Sequence, residues 1–172
     1  MTVGPAFKPA LRTCTERSFE TTMKYFDPRS ILLARHAQHI VLVHFPIALL
    51  IASVAFDLLA RWTGRRPLAE AAAANLYGAA LTAPLAAITG IAAWQLQLEG
   101  EKLKGALLLH LCAALISLVL IWALAWLRFR RGGVSAAALP AAYYAVALLS
   151  VLAVSATGHL GGIVSGAVTL GG

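Results

Sequence analysis

The chemistry this chain can offer rests on five histidines: His36, His39, His44, His110 and His159. Counting back from the arginines that follow the apolar runs gives each a depth. His44 is 17 residues before Arg61 and His110 is 18 before Arg128. At about 1.5 Å of helical rise per residue they lie roughly 26 and 27 Å from that boundary. His159, 19 residues after Pro140, lies at roughly 29 Å on the same scale. Three histidines from three separate helices thus converge on one level. Histidine inside a membrane span is rare and costly, so its placement calls for a reason.

Two neutral imidazoles facing each other across a four-helix bundle make an axial pair for b-type haem. Copper or zinc would accept the same ligands, but no carboxylate or thiolate joins them at this depth. His44 and His110 match best in depth and are the preferred haem or metal ligands. His159 serves as an alternative ligand, or as a hydrogen-bond partner to a propionate or a quinone. His39 lies about 7.5 Å further out and pairs with His159 in a second arrangement. His39 and His44 point about 140° apart, so they cannot readily ligate one metal together. Gly90, near the same level, leaves room for a flat macrocycle or serves helix packing alone. The competing reading is that each imidazole only hydrogen-bonds a neighbouring helix.

Other chemistries find no support. Cys14 and Cys112 form no CxxC or CxxCH, so no zinc, iron–sulfur or covalent c-type haem motif is present. Cys112 falls mid-span and is expected to be a small apolar core residue. There is no P-loop, no GxGxxG after a strand, and no nucleophile elbow.

The elements that must hold these histidines are legible from hydropathy. Of 172 residues, 60% are hydrophobic and 12% charged, against soluble averages of roughly half and a quarter. Crossing a hydrocarbon core takes about 20 apolar helical residues, and four stretches qualify: 40–60, within 71–98, 106–127, and 140 to about 159. Inside them the only charged residue is Asp57, expected to pair locally with Arg61 one turn later. Pro46 and Pro84 are tolerable within membrane spans, and Pro140 suits a first turn. Small residues (Gly78, Ala79, Gly90, Ala141, Ala145) permit close helix approach. The expected fold class is an all-α membrane protein: a four-helix transmembrane up-down bundle over residues 38–172 with a glycine-rich tail, preceded by a polar arm at 1–37.

Orientation follows from the arginines. Arg61, Arg65 and Arg66 follow the first span, and Arg128, Arg130 and Arg131 follow the third. Between the second and third spans, Glu99, Glu101, Lys102 and Lys104 cancel. The positive-inside rule makes the arginine loops cytoplasmic. Trp62, Trp122, Trp126, Tyr143 and Tyr144 are expected as aromatic anchors at that boundary. The segment before the first span runs against this, with six basic and three acidic residues that would have to cross. It lacks the pattern of a signal peptide and reads as a peripheral arm or tail. The net charge of +7 and pI near 10 fit arginine-flanked spans beside anionic lipid, and nothing points to nucleic acid as a partner.

The segment His39-Ile40-Val41-Leu42-Val43-His44-Phe45-Pro46-Ile47-Ala48-Leu49, followed by Phe56-Asp57-Leu58-Leu59, resembles the opening of the bacterial membrane family DUF2231. That family's pattern is close to HPxxVHFPIAL, with Ile40 here in place of the proline. His110 falls where the family often has a histidine opening its third helix. Thr157-Gly158-His159-Leu160-Gly161-Gly162 is similar to the GHLGG element of members associated with cytochrome c domains. The resemblance spans roughly residues 38 to 166. The later histidine or acid of many relatives is missing from the tail, which puts a second haem or metal site in doubt. The resemblance implies a four-helix module of the bacterial inner (cytoplasmic) membrane with redox associations.

Together these expectations describe a small b-type cytochrome-like subunit, with haem b and a possible quinone site. It would carry electrons between a periplasmic partner and the quinone pool or a larger redox complex. The alternative is a cofactor-free anchoring or assembly subunit packing against larger membrane subunits.

Overall fold

A computed structural model describes residues 35–97, 102–132 and 139–166. The expected arm as far as residue 34 and the tail after residue 166 lie outside these residues, and residues 35–37 of the arm belong to the first helix. Four helices account for them: α1 (Arg35–Thr63), α2 (Arg66–Gln97), α3 (Gly105–Arg130) and α4 (Ala141–Val164). All four are long and apolar enough to cross a membrane. Helix is what a bilayer demands of such sequences, because backbone groups without water must bond within their own segment. Each helix extends at one end or both beyond the apolar stretch that announced it. Pro46 and Pro84 lie inside α1 and α2 without ending them.

α1 turns into α2 through a two-residue link. Gly64 takes φ 70°, a left-handed conformation glycine adopts without Cβ strain, and its N–H donates to the Ala60 carbonyl at 2.8 Å. α1 packs chiefly on α2 and α3 on α4, so the bundle is built from two hairpins. Small side chains let the first pair approach closely. A Cβ on Gly78 would lie 3.3 Å from Leu49.

The core of Leu50, Leu76, Ile121, Leu124, Tyr143 and Ala147 is closed, and it sits toward the arginine loops. Toward the histidines burial thins on α1, α3 and α4, while Ala86 and Ala93 of α2 stay buried. No residue is fully buried in 38–45 of α1, 105–116 of α3 or 155–166 of α4. Outward faces carry Ile51, Leu58, Leu81, Ile88, Val119, Leu148 and Leu152, all exposed. On a spanning bundle these belong to the lipid tails.

Two expectations about single residues are corrected. Cys112 is exposed rather than in the core, because it falls on the lipid-facing side of α3. Trp62, Trp122 and Trp126 are exposed, but Tyr143 is 1% exposed and its hydroxyl is engaged inside the bundle, so it is no interfacial anchor.

Candidate functional site: a buried ion pair at one end, imidazoles at the other

All four helices meet at Asp57. Arg128 Nη1 of α3 donates to both carboxylate oxygens, at 2.7 and 2.5 Å. The Tyr143 hydroxyl of α4 donates to Asp57 Oδ2 at 2.8 Å. Arg128 Nη2 donates to the Ala69 carbonyl of α2 at 2.8 Å. Asp57 is 1% exposed and Arg128 0%. One turn away, Ser53 Oγ donates to the Ala72 carbonyl at 2.8 Å.

The expected Asp57–Arg61 pair is therefore replaced by a pair that spans the bundle. The cause is the helix face: Asp57 continues the buried row of Leu50 and Ser53, whereas Arg61 is exposed. A buried carboxylate needs a partner that shares its burial. Arg128 qualifies, lying in the row of Ile121 and Leu124 on α3, and Arg61 instead lies over the Tyr144 ring at 5.2 Å. Tyr143→Phe keeps the ring and removes one donor to the carboxylate. We expect it to lower stability by about 1–3 kcal/mol, read as a shift of the unfolding midpoint in mild detergent.

At the other end, the histidines fall into two kinds. His39 and His110 lie half-buried between paired helices. His39 Nδ1 is 3.2 Å from Thr89 Oγ1. Because that hydroxyl already donates to the Ala86 carbonyl at 2.9 Å, its oxygen must accept, and the proton sits on Nδ1. His110 Nδ1 donates to the Thr157 carbonyl at 3.1 Å. His44 Nδ1 donates to the Ile40 carbonyl of its own helix at 2.5 Å. In a neutral ring, each such bond leaves the lone pair on Nε2.

His44 and His159 are exposed on the outward faces of α1 and α4. The structure thus brings His39 onto α2 and His110 onto α4 and leaves the other two facing outward. Among the described residues, no three His, Cys, Asp or Glu side chains gather as a metal-holding group.

The space left by Gly90 is filled by an imidazole. A Cβ there would stand 2.8 Å from His39 Cε1, and a Cβ on Gly161 would stand 3.1 Å from His110 Cε1. Gly158, one turn before Gly162 on the same helix, has nothing within 4 Å. Gly90→Ala should push the His39 ring off its rotamer at about 0.5–1.5 kcal/mol, whereas Gly158→Ala should be neutral or stabilising by up to about 1 kcal/mol. Parallel thermal melts of the two variants check this ordering.

Sequence reasoning missed Arg128 and Tyr143 as partners of Asp57. Arg128 had been counted among the loop arginines, yet its spacing of four from Leu124 and seven from Ile121 puts it on their face.

Residues 35–170 match the model of a family described as predicted membrane protein, DUF2231. Among curated proteins and among solved structures, nothing matches the chain. The family match covers all four helices, with the histidine end and the buried ion pair inside it, and the chain belongs to the DUF2231 family of predicted membrane proteins.

Proposed function

We propose that this protein is a small haem-carrying membrane subunit that passes electrons between a periplasmic partner and the quinone pool or a larger redox complex. The observation that carries this reading is the state of the imidazoles. His39, His44 and His110 each commit Nδ1–H to a protein oxygen, the arrangement that orients a ring and raises its basicity for ligation through Nε2. His39 and His110 are both half-buried at this end of the bundle.

Donor chemistry fits a b-type haem: neutral imidazole, no thiolate, and apolar surroundings. His110 belongs to either ligand pairing, with His44 by depth or with His39 by face. When bound, haem supplies one-electron chemistry. The protein's part is to hold the two rings, exclude water through the apolar walls, and fix the tautomer with the Thr89 hydroxyl and the Thr157 carbonyl. Removing Arg128 from the loop count still leaves Arg61, Arg65 and Arg66 in the first loop and Arg130 and Arg131 in the third, opposite a loop whose charges cancel, so the positive-inside assignment is unchanged. The histidine end then faces the periplasm, where a soluble partner exchanges electrons.

A pyridine haemochrome assay on the purified protein tests this. About one b-type haem per chain is expected. A colourless protein, both in membranes and after purification, would overturn the reading in favour of a cofactor-free anchoring subunit.

A further inference from the structure

One offset relates the two halves of the chain. Adding 71 to a position in the first hairpin gives its counterpart in the second, with no insertion or deletion. On the inner faces of α1 and α3, buried Leu50, Ser53 and Asp57 correspond to buried Ile121, Leu124 and Arg128. On α2 and α4, buried Leu76, Ala79 and Ala83 correspond to buried Ala147, Ser150 and Val154. The same offset takes His39 to His110 and Gly90 to Gly161. In each hairpin the imidazole lies against the corresponding glycine, and Nδ1 reaches the same stretch of the partner helix.

Helical periodicity alone would align one buried row at several offsets. A single offset that aligns both rows, the ion pair and both imidazole–glycine contacts is the mark of a repeated unit. Its two copies retain few identical residues, and their most consequential difference is Asp57 against Arg128. These counterparts touch, so the two-fold axis relating the hairpins passes between them and runs along the bundle. Two identical copies would bury like charges there; opposite charges make the copies complementary.

His39 is 18 residues before Asp57, and His110 is 18 before Arg128. Eighteen residues are about five full turns, so each histidine lies on the helix face of its ion-pair residue, roughly 27 Å along the bundle. The two positions are therefore equivalent about that axis, each on the face that meets its own hairpin partner. His44 and His159 have no such mates: the counterparts of these exposed residues are Leu115 and Ile88.

We infer that the chain is a fused pair of one helical hairpin, and that His39 and His110 are the equivalent imidazoles that hold a single metalloporphyrin on the axis between the copies. This rests on the haem reading above and names its ligands. A planar group ligated on both faces is what two symmetry-related Nε2 atoms can share, and the repeat builds each ring a glycine notch and an oxygen for its Nδ1–H.

The test compares haem content and low-temperature EPR of the full-length protein with those of His39→Ala, His44→Ala and His159→Ala. Expected is a six-coordinate low-spin haem in the parent protein. His39→Ala should lose it or turn high-spin, whereas the rival pairing of His110 with His44 would put that loss in His44→Ala instead. Should the alanine variant fold poorly, His39→Met keeps a ligand. It should retain low-spin haem with an altered spectrum and a raised midpoint potential, which a merely structural histidine would not move. Full haem and an unshifted spectrum in His39→Ala, with loss in His44→Ala or His159→Ala, would overturn this inference and leave the haem reading standing. A parent protein without haem would overturn both.

Discussion

Replacing Arg128 by leucine should lower the stability of the bundle by about 3–5 kcal/mol. The substitution leaves Asp57, 1% exposed, with only the Tyr143 hydroxyl as a donor, and it removes the side-chain donor to the Ala69 carbonyl. The low dielectric around the pair makes an unpartnered carboxylate far more costly than the pair itself is favourable. The double variant Asp57→Leu with Arg128→Leu removes both charges and should recover most of the loss. Chemical or thermal unfolding in a fixed detergent supplies the double-mutant cycle. A loss under about 1 kcal/mol in the single variant would be the behaviour of a solvated surface pair and would contradict the burial described above.

His110→Ala should bring haem content to background, because His110 is required in either ligand pairing. It should also lower the thermal midpoint of the haem-loaded preparation, since a ligand bound only by the folded state stabilises it by mass action. The bundle itself should persist, as His110 contributes one hydrogen bond to the Thr157 carbonyl and Ser117 still bonds Thr157 at 3.0 Å beneath it. Haem assay and circular dichroism on the same sample separate the two effects. Full haem content in this variant would remove His110 from the site.

The four spans were legible because a bilayer selects long apolar runs, a one-dimensional property that needs no knowledge of partners. The level of the histidines was legible for the same reason: depth is a count of residues. What a depth count leaves out is azimuth. Relative to Asp57, His44 is 13 residues away, about 140° around the helix at roughly 100° per residue, and the structure finds it facing outward. His39, which depth alone put further out, lies on the inner face.

The partner of Asp57 was hidden by a different limit. Arg61 is its neighbour in sequence, whereas Arg128 is 71 positions away, and only the packing of one hairpin on the other brings them together. Arg128 also looked like a loop residue, because a charge at the end of an apolar run reads as its boundary. The role of Gly90 was half-legible. That a glycine makes room there followed from its level, but only the structure puts the His39 ring into that room.

The repeat, too, is nearly invisible as sequence. Lipid-facing positions accept any apolar residue, so they drift freely. The buried rows keep size and face rather than identity, as Ser53 opposite Leu124 and Leu76 opposite Ala147 illustrate. Only the histidine and glycine pairs, His39 with His110 and Gly90 with Gly161, remain the same residue in both copies at the histidine end.

The central claim is that the histidine end of this bundle holds a redox-active haem, and an oxidised and dithionite-reduced absorption spectrum of the protein in mild detergent tests it most directly. The account predicts a Soret band that shifts on reduction together with a sharp reduced α band, the signature of a six-coordinate b-type centre. A spectrum with protein absorbance alone, at good yield and from haem-replete cells, would contradict it.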